Sequence, residues 1–351
     1  MRFAFFDTKD YDKASFEKTN SDIEFKFLEP RLTEDTVELA AGCDGICVFV
    51  NDVVNKNVID RLFGMGVRMV ALRCAGYNNV DIEYCRNKLH VFHVPAYSPY
   101  AVAEHAMAML LTSVRRIHKA YNRTRDFNFS LKGLTGFDLH GKTVGVVGTG
   151  KIGRIFINIC KGFGMKVLAY DKFPVQEIVT DGDENGFGSV RYTDLVTLFS
   201  ESDIISLHCP LTPETHHLVN ADSISKMKKG VVIVNTSRGA LIDAEALLDG
   251  IKGRKVGAAC LDVYEEEADI FFQDFSGHIV SDDTIARLIT MPNVLVTSHQ
   301  AFLTEEALAN IADTTVANIK FFAENGWCEN ELCYRCGNIE KCKKERQQKC
   351  F

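Results

Sequence analysis

Short apolar runs alternate with amphipathic stretches along most of the chain. From residue 1 to about residue 100 the runs are Arg2–Asp7, Glu24–Glu29, Asp44–Val50, Arg68–Arg73 and Leu89–Val94. Helix-like patterns lie between them, such as Val58-Ile59-Asp60-Arg61-Leu62-Phe63, closed by Gly64 and Gly66. Runs of this length and spacing predict βαβ units and a parallel sheet. After Pro95 and Pro99, Tyr100 to Arg125 reads as one long helix, Ala-rich at its start and basic at its end (Arg115, Arg116, His118, Lys119). A second alternation follows from about residue 141 to residue 298. Its strands are predicted at Thr143–Val147, Lys166–Tyr170, Asp203–Leu207, Val231–Asn235, Gly257–Asp262 and Asn293–Thr297. From His299 to about residue 330 the pattern is helical and too short for a core of its own, so it is predicted to rejoin the first sheet.

The first strand of the second alternation runs into Gly148-Thr149-Gly150-Lys151-Ile152-Gly153, and a helical pattern from Arg154 follows. Asp171 closes the next strand. A Gly-x-Gly-x-x-Gly turn in isolation says little, but strand, turn, helix and distal acid together form a dinucleotide-binding fingerprint. Gly148 permits the tight turn, Gly150 lets backbone approach the pyrophosphate, and Gly153 lets helix and strand pack closely. The helix N-terminus offers unpaired N–H groups and partial positive charge to the phosphates. Asp171 is expected to accept hydrogen bonds from a ribose, favouring NAD over NADP; Lys172 beside it weakens that preference. The fold class expected is α/β: two parallel-sheet Rossmann-like domains, the NAD-binding one inserted into a discontinuous flavodoxin-like substrate domain. The expected boundaries are 1–100 with 299–332 for the substrate domain, 101–298 for the NAD-binding domain and 333–351 for a Cys-rich basic tail.

Composition narrows the class. A length of 351 residues suits two domains, and 46% apolar with 25% charged residues is ordinary for a globular chain. A net charge of −7 gives no footprint for nucleic acid or an anionic membrane, and no apolar run reaches a membrane span. Twelve cysteines without a recognisable leader argue for reduced thiols and a cytoplasmic location.

Arg238, Glu267 and His299 each fall just past a later strand. A 2-keto acid needs its carboxylate and carbonyl held, which a guanidinium does with paired hydrogen bonds. Hydride arriving at the keto carbon puts negative charge on oxygen, and an imidazolium is the natural proton donor near neutral pH. A neighbouring carboxylate favours that protonated form and orients the ring. Taken singly, each residue has a plainer reading: a surface arginine, a solvated acid, a core histidine.

At these residues the chain resembles the D-isomer-specific 2-hydroxyacid dehydrogenase family, over nearly its whole length to about residue 332 and most of all the bacterial fermentative D-lactate branch. Stretches that carry the likeness include Leu72-Arg73-Cys74-Ala75-Gly76-Tyr77-Asn78-Asn79-Val80-Asp81, Val94-Pro95-Ala96-Tyr97-Ser98-Pro99 and Ser298-His299-Gln300-Ala301-Phe302-Leu303-Thr304. The likeness, more than the residues themselves, selects Glu267 over Glu265 or Glu266. It implies that Arg238 binds substrate, His299 is the acid/base and Glu267 tunes it. It also implies that Asp262 reaches the nicotinamide carboxamide and Thr236 contacts the nicotinamide side. Lys151 and Ile152 lie over the pyrophosphate in this reading, with Cys209 and Pro210 on the adenosine side. Ala75 and Gly76 help hold the substrate carboxylate, while Tyr97 and Phe302 stand near its side chain. The implied activity is NADH-dependent reduction of pyruvate to D-lactate in a fermenting cytoplasm, by a homo-oligomer (dimer or tetramer). Alternatives are the same chemistry on phenylpyruvate or 2-ketoisocaproate and, more remotely, an NAD-gated corepressor-like interaction protein.

Two segments depart from the family pattern. Asp181–Gly188 reads as an inserted, mobile surface loop rich in Gly and acids. The last 24 residues hold Cys328, Cys333, Cys336, Cys342 and Cys350 among lysines and arginine. The spacing matches common structural zinc sites poorly, so no metal is expected and a redox-sensitive or unstructured tail is preferred.

Overall fold

The computed structural model describes residues 1–19, 21–267, 270–334, 347, 348, 350 and 351. The chain divides into two compact units, Met1–Ser98 with Leu303–Phe351, and Pro99–Phe302.

Unit 1 is built on β1 (Arg2–Phe5), β2 (Glu24–Phe27), β3 (Gly45–Val48), β4 (Met69–Leu72) and β5 (His90–Phe92), in the order β2-β1-β3-β4-β5. Every pair is parallel, which gives the flavodoxin-like order. β3 and β4 are apolar throughout and β1 is apolar after the exposed Arg2, as strands covered on both faces must be. The helix Glu305–Asn325 packs against the helix Asp10–Phe16, so the C-terminal helix belongs to this unit. Beyond it the chain covers the edge of β5: Leu332 N–H donates to Val91 O at 2.8 Å and Val91 N–H to the Tyr334 hydroxyl at 2.8 Å. This closes an edge that would otherwise present unpaired backbone groups. Cys336, Cys342 and all the basic residues of the tail lie outside the described residues.

Unit 2 carries β6 (Thr143–Val147), β7 (Lys166–Tyr170), β8 (Val190–Tyr192), β9 (Ile204–Leu207), β10 (Val231–Asn235), β11 (Val256–Leu261) and β12 (Val294–Val296). Their order is β12-β11-β10-β9-β6-β7-β8, all parallel, with the strand order reversing between β6 and β9. The two-sheet α/β expectation therefore holds.

Two local readings change, and a third, the surface loop at 181–188, is made more specific. β8 was missed because Val190-Arg191-Tyr192 is short and only its first residue is buried. The Asp181–Gly188 segment is a tight turn feeding that strand: the Asn185 and Phe187 amides both donate to Asp183 Oδ1, at 2.9 and 2.8 Å. The single helix expected from Tyr100 to Arg125 is two, Pro99–Val114 and Ile117–Arg125, separated by Arg116 in a left-handed conformation (φ 57°). The first helix is buried on most of its surface and the second has no buried residue. The chain turns where there is no more core to cover.

Candidate active site

The glycine turn is built by steric exclusion. Gly148 has φ 98°, and a Cβ there would stand 2.6 Å from the backbone of His208 and Cys209. At Gly153 a Cβ would meet Gly148 O at 2.0 Å, so β6 and the helix Lys151–Gly162 approach as closely as backbones can. Gly150 is the N-cap of that helix; no side chain caps it, no acid occupies the first turn, and the direction of its missing Cβ is open. The amides of Lys151 and Ile152 are thus free of any side-chain cap and available to an anion. Asp171 sits beside this turn, its Oδ2 accepting from Thr149 N–H at 2.6 Å and its Oδ1 from Phe173 N–H at 2.8 Å. The Tyr192 hydroxyl of β8 donates to Thr149 Oγ1 at 2.8 Å, so the missed strand buttresses the turn.

On the far side of the switch point, His208 lies under the glycine turn against Phe156, ring centroids 4.9 Å apart. Burial pushes its pKa down to about 4, and its Nε2 pairs with Ser206 Oγ at 2.9 Å. Cys209 is buried, and burial pushes its thiol up to about 11; Pro210 after it is exposed. Ser237 Oγ donates to Cys209 O at 2.7 Å, which ties this loop to the end of β10. Thr236, directly after β10, is buried with an Oγ1 that has no partner among the described residues. A buried hydroxyl left unsatisfied carries a desolvation cost and marks a place for a ligand atom.

Arg238 follows at the same strand end. Asn235 Nδ2 donates to Arg238 O at 2.9 Å, and Arg238 Nη1 donates to Ser237 O at 2.7 Å. Gly239 next to it is pressed on the Tyr264–Glu265 peptide, where a Cβ would stand 2.0 Å from Tyr264 C. The turn bearing Arg238 and the loop bearing Glu267 are therefore in direct contact.

Glu267 and His299 meet. Glu267 Oε1 lies 2.7 Å from His299 Nδ1, and Oε2 accepts from Tyr264 N–H at 2.9 Å. Both side chains are about one-fifth exposed, at 18% and 19%. With Nδ1 held by the carboxylate, Nε2 is the atom that faces away from the pair. His299 has φ 52°, a left-handed conformation uncommon for a non-glycine residue, fixed by its N–H donating to Asp262 O at 2.7 Å. The Asp262 side chain is wholly enclosed: Oδ1 accepts from Thr297 Oγ1 (2.6 Å) and Gln300 N–H (2.9 Å), Oδ2 from Ala301 N–H (2.9 Å). His105 Nε2 stands 3.4 Å from Oδ1. Burial works to raise the Asp262 pKa, but the bonds from His105, Thr297, Ala301 and Gln300 outweigh it and hold the carboxyl below its ordinary value. Contact with a carboxamide would require one of these bonds to yield.

Sequence reasoning did not single out His105, Thr297, Thr149, Tyr192 or His208. Thr149 lies within the glycine motif, but its contacts with Asp171 and Tyr192, like those of His105 and Thr297 with Asp262, join residues far apart in sequence. Of the other predicted residues, Phe302 is buried at the end of unit 2. Ala75, Gly76 and Tyr97 belong to unit 1. There His93 Nδ1 lies 3.0 Å from Ala75 O, Cys74 Sγ donates to Gly76 O at 3.2 Å, and Asn310 Nδ2 donates to Tyr97 O at 2.7 Å.

A parallel sheet with this strand order and an uncapped glycine turn at its switch point defines a dinucleotide-binding protein. The chain belongs to the D-isomer-specific 2-hydroxyacid dehydrogenase family, whose NAD-binding domain matches residues 107–301. It is an NAD-dependent enzyme of that family. It is 51% identical over 335 residues to the D-lactate dehydrogenase of Escherichia coli K12, a match spanning 95% of this chain and all of that one. The apo-structure of D-lactate dehydrogenase from Escherichia coli superposes with a TM-score of 0.85 at 49% identity, covering 95% of this chain and 100% of the other. The pyruvate reductase of Chlamydomonas reinhardtii gives a TM-score of 0.84 at 43% identity, covering 92% and 96%.

Proposed function

We propose that the chain reduces pyruvate to D-lactate with NADH, reversibly, in a fermenting cytoplasm. The observation that carries the reading is the Glu267–His299 pair, fixed at 2.7 Å among the strand ends of an NAD-binding sheet. The similarity to D-lactate dehydrogenases and to a pyruvate reductase supports the small substrate and the D product.

Bound NADH supplies the hydride that adds to the keto carbon. Arg238 holds the substrate carboxylate through its guanidinium fork. His299 delivers the proton from Nε2 to the carbonyl oxygen and is left neutral, to be reprotonated from solvent. Glu267 keeps the ring in the orientation that presents Nε2. Asp262, through the His299 backbone and through Thr297, sets where that ring can stand, which is a positioning role. The amides of Lys151 and Ile152 would hold the pyrophosphate, Asp171 the ribose hydroxyls, Cys209 and Pro210 the adenosine, and Thr236 the nicotinamide side. The substrate contacts expected of Ala75, Gly76, Tyr97 and Phe302 remain part of this proposal.

We also assign the protein to a homo-oligomer. Tyr100, Tyr121, Phe127, Phe129 and Leu131 are exposed on and after the two helices that open unit 2, with Phe127 85% and Leu131 81% accessible. So many large apolar side chains in one region suit a subunit contact.

The test is oxidation of NADH with pyruvate, phenylpyruvate and 2-ketoisocaproate side by side, with the product assigned as D or L. The expected result is the highest kcat/KM on pyruvate with D-lactate formed. A preference for a bulky keto acid would move the substrate while keeping the mechanism. Absence of turnover with NADH still bound would overturn the enzyme reading. Arg238→Lys should raise KM for pyruvate by about tenfold, because an ammonium cannot make the paired contact.

A further inference from the structure

Unit 2 carries a second cluster of ligating side chains, on the two loops that follow β9 and β11. We propose that His216, His217 and Glu265 form a binding site for a borderline divalent transition-metal ion of the zinc class. The proposal stands apart from the choice of keto acid.

The first loop is shaped to bring two consecutive histidines together. His216 N–H donates to Thr212 O at 2.9 Å, which closes a turn held also by Thr212 N–H on Thr215 Oγ1 at 2.8 Å. His217 then adopts a left-handed conformation (φ 49°), with its N–H on Ala240 O at 2.9 Å and its O accepting from Asn220 Nδ2 at 2.9 Å. Neighbouring side chains on a helix or strand point well apart. Here the left-handed residue lays one imidazole on the other, centroids 4.0 Å apart and planes 27° from parallel. That backbone is unfavourable for a side-chain-bearing residue.

Both Nε2 atoms face one carboxylate. Glu265 Oε1 is 2.7 Å from His217 Nε2 and 3.9 Å from His216 Nε2. One ligand atom from each of the three residues lies within 4.8 Å of the others. A tetrahedral ion with bonds of roughly 2.1 Å sets its donors about 3.4 Å apart. From 2.7 Å the His217–Glu265 distance has to open by about 0.7 Å, and from 3.9 Å the His216–Glu265 distance has to close by about 0.5 Å, which side-chain rotation supplies. A hydrogen bond between His217 and Glu265 accounts for the shorter contact; it gives no reason for His216 to aim at the same oxygen. Glu265 is anchored from behind, its peptide packed on Gly239. His216 is half exposed, at 51%, which leaves an entry path and a fourth position for water. Two imidazoles and a carboxylate suit zinc, cobalt, nickel or copper and are too nitrogen-rich for magnesium or calcium. An ion here would brace the loop after β9 against the loop that carries Glu267.

The test uses the full chain, stripped with a chelator, in a background of Cys333→Ser, Cys336→Ser, Cys342→Ser and Cys350→Ser that removes the tail thiols. Zn2+ is titrated by calorimetry and Co2+ by its visible spectrum. The expected result is one equivalent bound with nitrogen and oxygen ligation, and a higher unfolding temperature with Zn2+. Affinity should fall by at least about tenfold in His217→Ala and Glu265→Gln, and also in His216→Ala, whose exposed side chain is not needed for folding. His299→Ala should bind as before. Absence of binding, binding indifferent to all three substitutions, or binding lost with His299 would each overturn the site.

Discussion

The turn after the first strand is treated in opposite ways in the two units. After β1 the chain passes through Asp7, at φ 48°, into the helix Asp10–Phe16. That helix meets its own N-terminus with acids: Asp10 and Asp12 lie in the first turn, and the Asp12 carboxylate accepts from Lys9 N–H at 3.1 Å. After β6 the chain passes through Gly148, and the helix it enters has an uncapped glycine and no acid in its first turn. Helix N-termini carry partial positive charge and unpaired N–H groups in both cases. Unit 1 satisfies them with its own carboxylates and goes on to bury an Arg73 guanidinium against Asp12, with Phe5 and Phe49 rings 4.5 and 4.8 Å away. Unit 2 leaves them for a ligand. A parallel sheet of this kind becomes a nucleotide site by what its first turn leaves unsatisfied.

The largest expected effect removes the chemistry and spares the turn. His299→Ala should lower turnover by about a hundred- to ten-thousandfold, with NADH affinity, read by fluorescence titration, close to wild type. Normal pyruvate kinetics would discard the acid/base assignment. Gly150→Asp converts the unit 2 turn toward the unit 1 solution, with room for the side chain. It should weaken NADH binding by about tenfold or more while the circular dichroism and melting curve persist. Unchanged affinity would mean that the helix N-terminus is not what holds the cofactor. Asp171→Ala should cut the preference for NADH over NADPH by about tenfold. It also frees Thr149, so a fall in affinity for both cofactors is expected alongside; an unaltered ratio places discrimination elsewhere.

An effect on stability, with activity left aside, separates the units by pH. His208, neutral when folded with a pKa of about 4, is protonated more readily when unfolded, where imidazole titrates near 6.5. Its contribution is present above pH 6.5 and is lost as pH falls through that window. Asp52 in unit 1 runs the other way: burial raises it to about 6, from an ordinary 3.8, though Phe49 and Leu32 amides bind it. Its folded form holds a proton the unfolded chain has released, so its contribution falls as pH rises from 3.8 to about 6. Relative to His208→Gln, the wild type should lose on the order of 2 kcal/mol in urea unfolding between about pH 7 and pH 4. Relative to Asp52→Asn it should change in the opposite sense; parallel curves in both comparisons would remove the contrast.

The two alternations of apolar runs were enough to announce two parallel sheets, because a strand buried on both faces has to be apolar along its length. The glycine fingerprint was equally legible, since a Cβ at Gly148 or Gly153 would stand 2.6 or 2.0 Å from backbone, while Gly150 leaves its helix N-terminus open. Arg238, Glu267 and His299 were placed by their positions just past strands and by family likeness. The sequence could not contain their surroundings. β8 was too short and too polar to register, and the break at Arg116 follows from where the buried surface ends. That His299 stands in a left-handed conformation under Asp262, with Thr297 and His105 closing on the same carboxylate, depends on residues 35 or more positions apart meeting at one strand end. Pattern along a chain reports which faces will be buried; only packing decides which polar atoms are met there and which are left for a ligand.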